Sequence, residues 1–102
     1  MKKIADIIRE LREQNGLLLR QVAAEIEIDQ ALLSKIERGE RMPTKEQVIR
    51  LAKFYKVDER EFLVAFLSDK LVYEVQDEEV ALKAMQVAER KINYIVKNRN
   101  GK

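Results

Sequence analysis

The sequence predicts an all-α protein: five short helices closing near Ser68, followed by a C-terminal helical extension. Three observations lead there. Apolar residues recur at three- and four-residue intervals along almost the whole chain, the spacing that gathers them on one helical face. Gly16, Gly39 and Pro43 fall between these runs rather than inside them. Strand-like alternation is confined at most to Leu71–Val75, and no internal repeat or low-complexity stretch interrupts the pattern.

Ile4, Ile7, Ile8 and Leu11 place a first helix over about Lys2–Gln14, and Asn15-Gly16 supplies a pair tolerant of left-handed backbone to end it. Val22, Ala23 and Ile26 share one face of a second helix, Leu19–Ile26. After Glu27-Ile28-Asp29, Leu33 and Ile36 repeat in a third, Gln30–Arg38. Asp29 is placed to cap it, because a carboxylate there can accept the free amides of the first turn. Gly39 stops that helix, and Glu40–Thr44 is a loop, since Pro43 has no amide donor and disfavours helix in the residue before it. Thr44 can cap a fourth helix, Lys45–Tyr55, which turns Val48, Leu51, Ala52 and Tyr55 inward. Val57-Asp58 restarts the pattern, and Phe62, Leu63 and Phe66 define a fifth helix from Glu59 to about Leu67. A last helical run extends from Glu78 to about Asn98. Its Ala81, Met85, Ala88, Ile92 and Ile95 alternate spacings of four and three in a heptad-like seam, widened by Leu82, Ala84 and Val96. Residues 1–68 are expected to form one domain and 69–102 the extension.

Cysteine and histidine are both absent. That excludes disulfides, thiolate or imidazole metal sites, and Ser-His or Cys-His nucleophilic catalysis, leaving only carboxylate or lysine chemistry. The acidic run Asp77-Glu78-Glu79 suits the start of a helix rather than a pocket, so no enzyme, cofactor or metal is expected. The net charge is only +2 with 37% charged residues, and any nucleic-acid face must come from local clustering of bases. No segment approaches the roughly 20 apolar residues of a membrane span, and Met1–Ala5 opens no signal peptide; a soluble cytoplasmic protein is expected.

Leu19–Arg38 is the stretch that carries function. Two short helices joined by a tight turn, the second exposing polar residues between its core positions, form the unit that lays one helix in the major groove of B-DNA. Ala23 suits the close approach of the two helices, and Leu33 and Ile36 anchor the second, leaving Gln30, Ala31, Ser34 and Lys35 outward. The run from Val22-Ala23 through Ser34-Lys35-Ile36-Glu37-Arg38-Gly39 to Pro43, with the later Leu51-Ala52 and Val57-Asp58, resembles the phage-repressor-like Xre family of helix-turn-helix proteins over about Ile4–Leu67. The resemblance implies a five-helix lambda-repressor-like DNA-binding domain.

Carried over by position, it implies that Gln30, Ala31, Ser34 and Lys35 line the DNA-reading face. Glutamine can bond adenine N6 and N7, lysine can donate to guanine O6 and N7, and an alanine methyl can touch the thymine methyl. Ser34 and Arg38 would lie nearer the sugar-phosphate backbone. Arg41, Thr44 and Lys45 in and after the loop are implied phosphate contacts. The resemblance also implies an ion pair between Arg12 and Glu37.

The sequence departs from the family at three places. Leu18 and Leu19 stand where a small hydroxyl residue and a glutamine are usual, so the phosphate contact and brace they supply are missing and Arg20 is the nearest substitute. Glu27 replaces the turn glycine; either the turn relaxes to negative φ or Glu27 carries left-handed strain of order 1 kcal/mol. Leu32 projects toward the DNA side or packs against Leu18 or Leu19. Each basic or polar residue named is weighed against an ordinary solvated helix face, which the motif context disfavours for Gln30, Ser34 and Lys35 and leaves open for the phosphate contacts.

The seam of Ala81, Met85, Ala88, Ile92 and Ile95 fits either a helix folded back on the first domain or a homodimer interface. The second sets the spacing of two half-sites on DNA. The tail from Arg90 to Lys102, with five basic residues and no acid, reads as a solvated terminus as readily as a phosphate contact. The resulting expectation is a regulator, of repressor type, binding double-stranded DNA at a palindromic operator as a dimer, in the cytoplasm with the nucleoid. The alternative is an antitoxin or interaction module whose C-terminal helices hold a partner protein.

Overall fold

The structure, a computed structural model, describes Lys2 to Asn100, with no side-chain description of Asn100; Lys102 of the basic tail lies outside the described residues. Six helices follow in order: α1 (Ile4–Gln14), α2 (Leu19–Glu25), α3 (Gln30–Glu37), α4 (Lys45–Tyr55), α5 (Glu59–Val75) and α6 (Ala81–Asn100). No strand occurs among the described residues, and Leu71–Val75 is the last part of α5. The chain divides into two compact units, one up to Lys70 and one from Leu71 onward.

In the first unit the periodic residues converge as their spacing requires. Ile4 and Ile8 of α1, Val22 and Ala23 of α2, Leu33 and Ile36 of α3, Val48, Leu51 and Ala52 of α4, and Phe62 and Phe66 of α5 form one buried cluster, completed by Ile26. α3 packs on both α1 and α2. Leu32 is half-buried against this cluster, so it serves packing, whereas Leu18 is 48% exposed.

The first four helices end alike. After α1, Gly16 N donates to Glu13 O and Leu17 N to Arg12 O; after α3, Gly39 N donates to Ile36 O and Glu40 N to Lys35 O. The same pair of bonds joins Glu27 to Ala24 and Ile28 to Ala23 after α2, and Lys56 to Lys53 and Val57 to Ala52 after α4. This Schellman arrangement needs a left-handed residue, which Gly16 and Gly39 supply at φ 64° and 75°. Glu27 and Lys56 adopt it at φ 59° and 56°, so the turn before α3 does not relax. Replacing Glu27 by glycine is therefore expected to raise stability by about 0.5–1 kcal/mol, the steric relief exceeding glycine's extra unfolded-state entropy. A urea midpoint unchanged or lowered in Glu27→Gly would contradict this.

The starts of the helices differ. At α4 a reciprocal box forms: Gln47 N donates to Thr44 Oγ1 at 3.1 Å and Thr44 N donates to Gln47 Oε1 at 2.9 Å. At α2 only half of it exists, Leu18 N donating to Gln21 Oε1 at 2.8 Å; the Leu18 side chain has no oxygen, and Gln21 N donates instead to the backbone Leu18 O at 3.0 Å. Asp29 stands at the start of α3 with extended backbone, but its carboxylate accepts no capping bond; Asp29, Gln30 and Ala31 are exposed, and solvent can serve the amides there. α1 is capped from a distance, Ile4 N donating to Asp69 Oδ2 at 2.7 Å, a bond of the kind worth about 1 kcal/mol. Asp69 can reach there because α5 runs on to Val75 instead of ending near Leu67.

The second unit consists of the last residues of α5, a turn and α6. α6 starts at Ala81, three residues later than the sequence pattern indicates, because Glu78 to Val80 form the turn that precedes it. Leu71, Leu82, Met85, Ala88 and Ile92 line an apolar groove within this unit.

Candidate nucleic-acid interface

α3 is divided lengthwise. Leu33, Ile36 and Glu37 are buried, while Gln30, Ala31 and Lys35 are exposed and Ser34 is half-buried. Gln30, Ala31, Ser34, Lys35 and Arg38 follow one another at helical spacing, so they form a single outward strip. Arg38 Nη1 donates to Ser34 Oγ at 2.6 Å, which joins two residues of the strip one turn apart. Of the other candidate phosphate contacts, Arg20 is exposed on α2, Arg41 is exposed in the loop, and Thr44 and Lys45 are exposed at the start of α4. Thr44 Oγ1 is engaged as an acceptor in the cap, so its hydroxyl hydrogen remains available to donate.

The base of this strip is held by a charged pair. Arg12 Nε donates to Glu37 Oε1 at 3.0 Å and Oε2 at 2.9 Å, and Arg12 Nη1 donates to Leu17 O at 3.0 Å. The hydrogen bond to Glu37 raises the Arg12 pKa above its ordinary value, burial opposing it. One guanidinium thus ties α1, the segment after it, and the C-terminal end of α3. From α4, Arg50 Nη1 donates to Ile26 O at 3.0 Å, which closes the end of α2.

Tyr55 lies in the field of the same pair. Its hydroxyl is buried with no hydrogen-bond partner among the described residues, and its pKa is pushed up to about 12, mainly by burial and then by the charge of Glu37. The neutral phenol is therefore favoured in the folded state. Stability from this preference is complete below the unfolded tyrosine pKa, about 10, and is lost as the pH rises toward 12. In a Tyr73→Phe/Tyr94→Phe background, the phenolate absorbance of Tyr55 is expected to appear near pH 12 and to accompany loss of helical circular dichroism. Ionisation near pH 10 in the folded protein would show the hydroxyl to be solvated.

Sequence reasoning missed Glu40. Arg38 Nε donates to Glu40 Oε2 at 2.6 Å and Nη2 to Glu40 Oε1 at 3.4 Å. The hydrogen bond to Arg38 lowers the Glu40 pKa, aided by the charges of Arg38 and Lys35, while that to Glu40 raises the Arg38 pKa. The only sequence signal was opposite charges two residues apart, which is common on any surface. No cluster of acidic residues suited to a metal ion occurs among the described residues, and no described helix is long and apolar enough to cross a membrane.

The C-terminal candidates separate by exposure. Ala81, Met85 and Ala88 are half-buried, while Ile92 and Ile95 are each 52% exposed.

Comparison with known proteins matches the geometry. The family model described as Helix-turn-helix covers residues 8–62, from the middle of α1 into α5. The HTH-type transcriptional regulator DdrOP3 of Deinococcus deserti is 34% identical over 70 residues, covering 67% of this chain. The chain spans about half the length of that relative, 54%. The solved SinR protein/SinI protein complex contains a chain of similar fold, with a TM-score of 0.55 and 21% identity over 97% of this chain and 99% of that one. With a buried core under a polar α3 strip and a family match over more than half its residues, the chain belongs to the Xre-type helix-turn-helix family of DNA-binding transcriptional regulators.

Proposed function

We propose that the protein acts by binding alone, without catalysis, as a sequence-specific repressor that reads a palindromic operator through the major groove as a homodimer. The observation that carries this reading is the exposed strip of α3 on a helix whose other face is locked into the core. Gln30, Ala31, Ser34 and Lys35 meet base edges, with hydrogen-bonding capacity suited to adenine and guanine. Arg20, Arg38, Arg41, Thr44 and Lys45 contact phosphates and hold the register. The partial exposure of Ile92 and Ile95 on α6, in line with Ala81, Met85 and Ala88, supports pairing of two chains along that face. The same face favours a second reading, in which α6 holds a different protein while α3 binds the shared promoter.

The test is titration of purified protein against its own upstream DNA and scrambled DNA of equal length, at two salt concentrations. Specific binding is expected to exceed nonspecific binding by roughly 10³-fold or more and to weaken with salt. Gln30→Ala and Lys35→Ala are each expected to erode the preference by about 1–3 kcal/mol without changing thermal stability. Equal binding to both DNAs, followed by no enriched site in selection from random sequence, would overturn the reading. Ultracentrifugation of Ile92→Glu/Ile95→Glu decides the dimer: loss of a dimer supports pairing through α6, and a monomeric parent protein turns the face over to a different partner.

A further inference from the structure

Glu40 is a carboxylate at the C-terminal end of α3, where a negative charge is unfavourable. Its amide closes α3 by donating to Lys35 O at 2.9 Å, which places the side chain at the negative end of the helix dipole. It is exposed and pairs with Arg38, also exposed, and such a pair adds little to folding. Its geometry toward the cations is nonetheless specific. Both carboxylate oxygens meet the Arg38 guanidinium, and the third guanidinium nitrogen is taken by Ser34 Oγ, so every nitrogen of Arg38 has a protein partner before any phosphate arrives. Lys35 adds its attraction to the same carboxylate.

In this pair the charge of Arg38 is partly offset by that of Glu40. Three of the five guanidinium N–H groups are thus engaged, so a phosphate approaching Arg38 must either displace Glu40 or use the two remaining N–H groups beside the negative charge of Glu40. Phosphate attraction is independent of sequence and supplies nonspecific affinity, whereas discrimination between sequences comes from base contacts. Resting on the DNA-binding reading above, we infer that Glu40 is a specificity-determining residue: by competing with phosphate for Arg38 it weakens that backbone contact, so that the contacts of α3 with base edges decide where the protein binds.

The experiment compares the full chain with Glu40→Gln, measuring the affinity for operator and for scrambled DNA across a salt series. Glu40→Gln is expected to bind scrambled DNA roughly 3- to 10-fold tighter and to steepen the dependence of log K on log salt by up to about 0.9, as the Arg38 contact with phosphate becomes fully engaged. The ratio of specific to nonspecific affinity is expected to fall. In an Arg38→Ala background the same substitution is expected to have little effect. An unchanged slope and affinity, weaker binding, or an equally large gain without Arg38 would each overturn the inference. Failure of the parent protein to distinguish its operator would instead overturn the DNA-binding reading, and that is read from the parent alone. Glu40 and Arg38 are exposed, so helical circular dichroism should match the parent in every variant.

Discussion

Arg12→Ala is expected to destabilise the protein by about 3 kcal/mol, a large part of the roughly 5–15 kcal/mol that holds a small domain together. The Glu37 side chain is only 5% exposed and that of Arg12 16%, so removing the cation strands a carboxylate with little access to water. It also frees Leu17 O, which Arg12 holds just after α1. The remaining exposure of Arg12 lets some solvent in, and this places the effect at the lower end of the range for breaking a buried pair. Glu37→Ala should cost a similar amount, since it leaves the guanidinium without its carboxylate. The double replacement Arg12→Met/Glu37→Leu keeps the volume and removes both desolvation penalties, so it is expected to return to within about 1 kcal/mol of the parent. Urea unfolding of the three variants checks this. Single-variant losses under about 1 kcal/mol would mean that the pair behaves as a surface ion pair.

Leu33→Ala is expected to cost about 3–4 kcal/mol and to lower the melting temperature by more than about 10 °C. Leu33 is fully buried in the middle of α3, where the cluster contributed by all five helices of the first unit lies under the exposed strip of that helix. Truncation removes the transfer energy of the side chain and leaves a cavity that rigid neighbours on α1 and α2 cannot fill. Leu32, next in sequence but half-buried, should lose less when truncated, because its site can relax toward solvent. The pair separates packing from recognition. Leu33→Ala should lose DNA binding in proportion to unfolded protein, while Lys35→Ala should lose it with the fold intact. A Leu33→Ala variant melting within about 3 °C of the parent would show that the core repacks around the lost side chain.

Much of this architecture is written in local patterns. The spacing of Ile4, Ile8, Val22, Leu33, Ile36, Leu51 and Phe62 identifies the buried face of each helix, because a 3.6-residue period is a property of any α-helix wherever it packs. Thr44 is legible as a cap and Gly39 as a stop for the same reason: each acts through bonds within three or four residues of itself. The outward position of Gln30, Ala31 and Lys35 follows once Leu33 and Ile36 are known to face inward. The Arg12–Glu37 pair came from family resemblance, since nothing in the spacing of two charges 25 residues apart announces it.

Other features depend on where distant segments come to rest. Asp69 reads as one more charge near the end of a helix, and only the fold brings it to the amide of Ile4. The bond of Arg50 to Ile26 O likewise requires α4 to lie against the end of α2. Glu27 is uninformative about its own φ, because the choice between relaxation and left-handed strain is made by the packing of α2 against α3. Asp29 shows the converse: its residue type favours a cap, yet at an exposed helix start its carboxylate forms none. Local periodicity determines the helices because their hydrogen bonds and buried faces repeat within a few residues. Caps supplied from afar, strained turns and the pairing of Arg38 with Glu40 rest on three-dimensional proximity, orientation and burial, which a linear pattern does not encode.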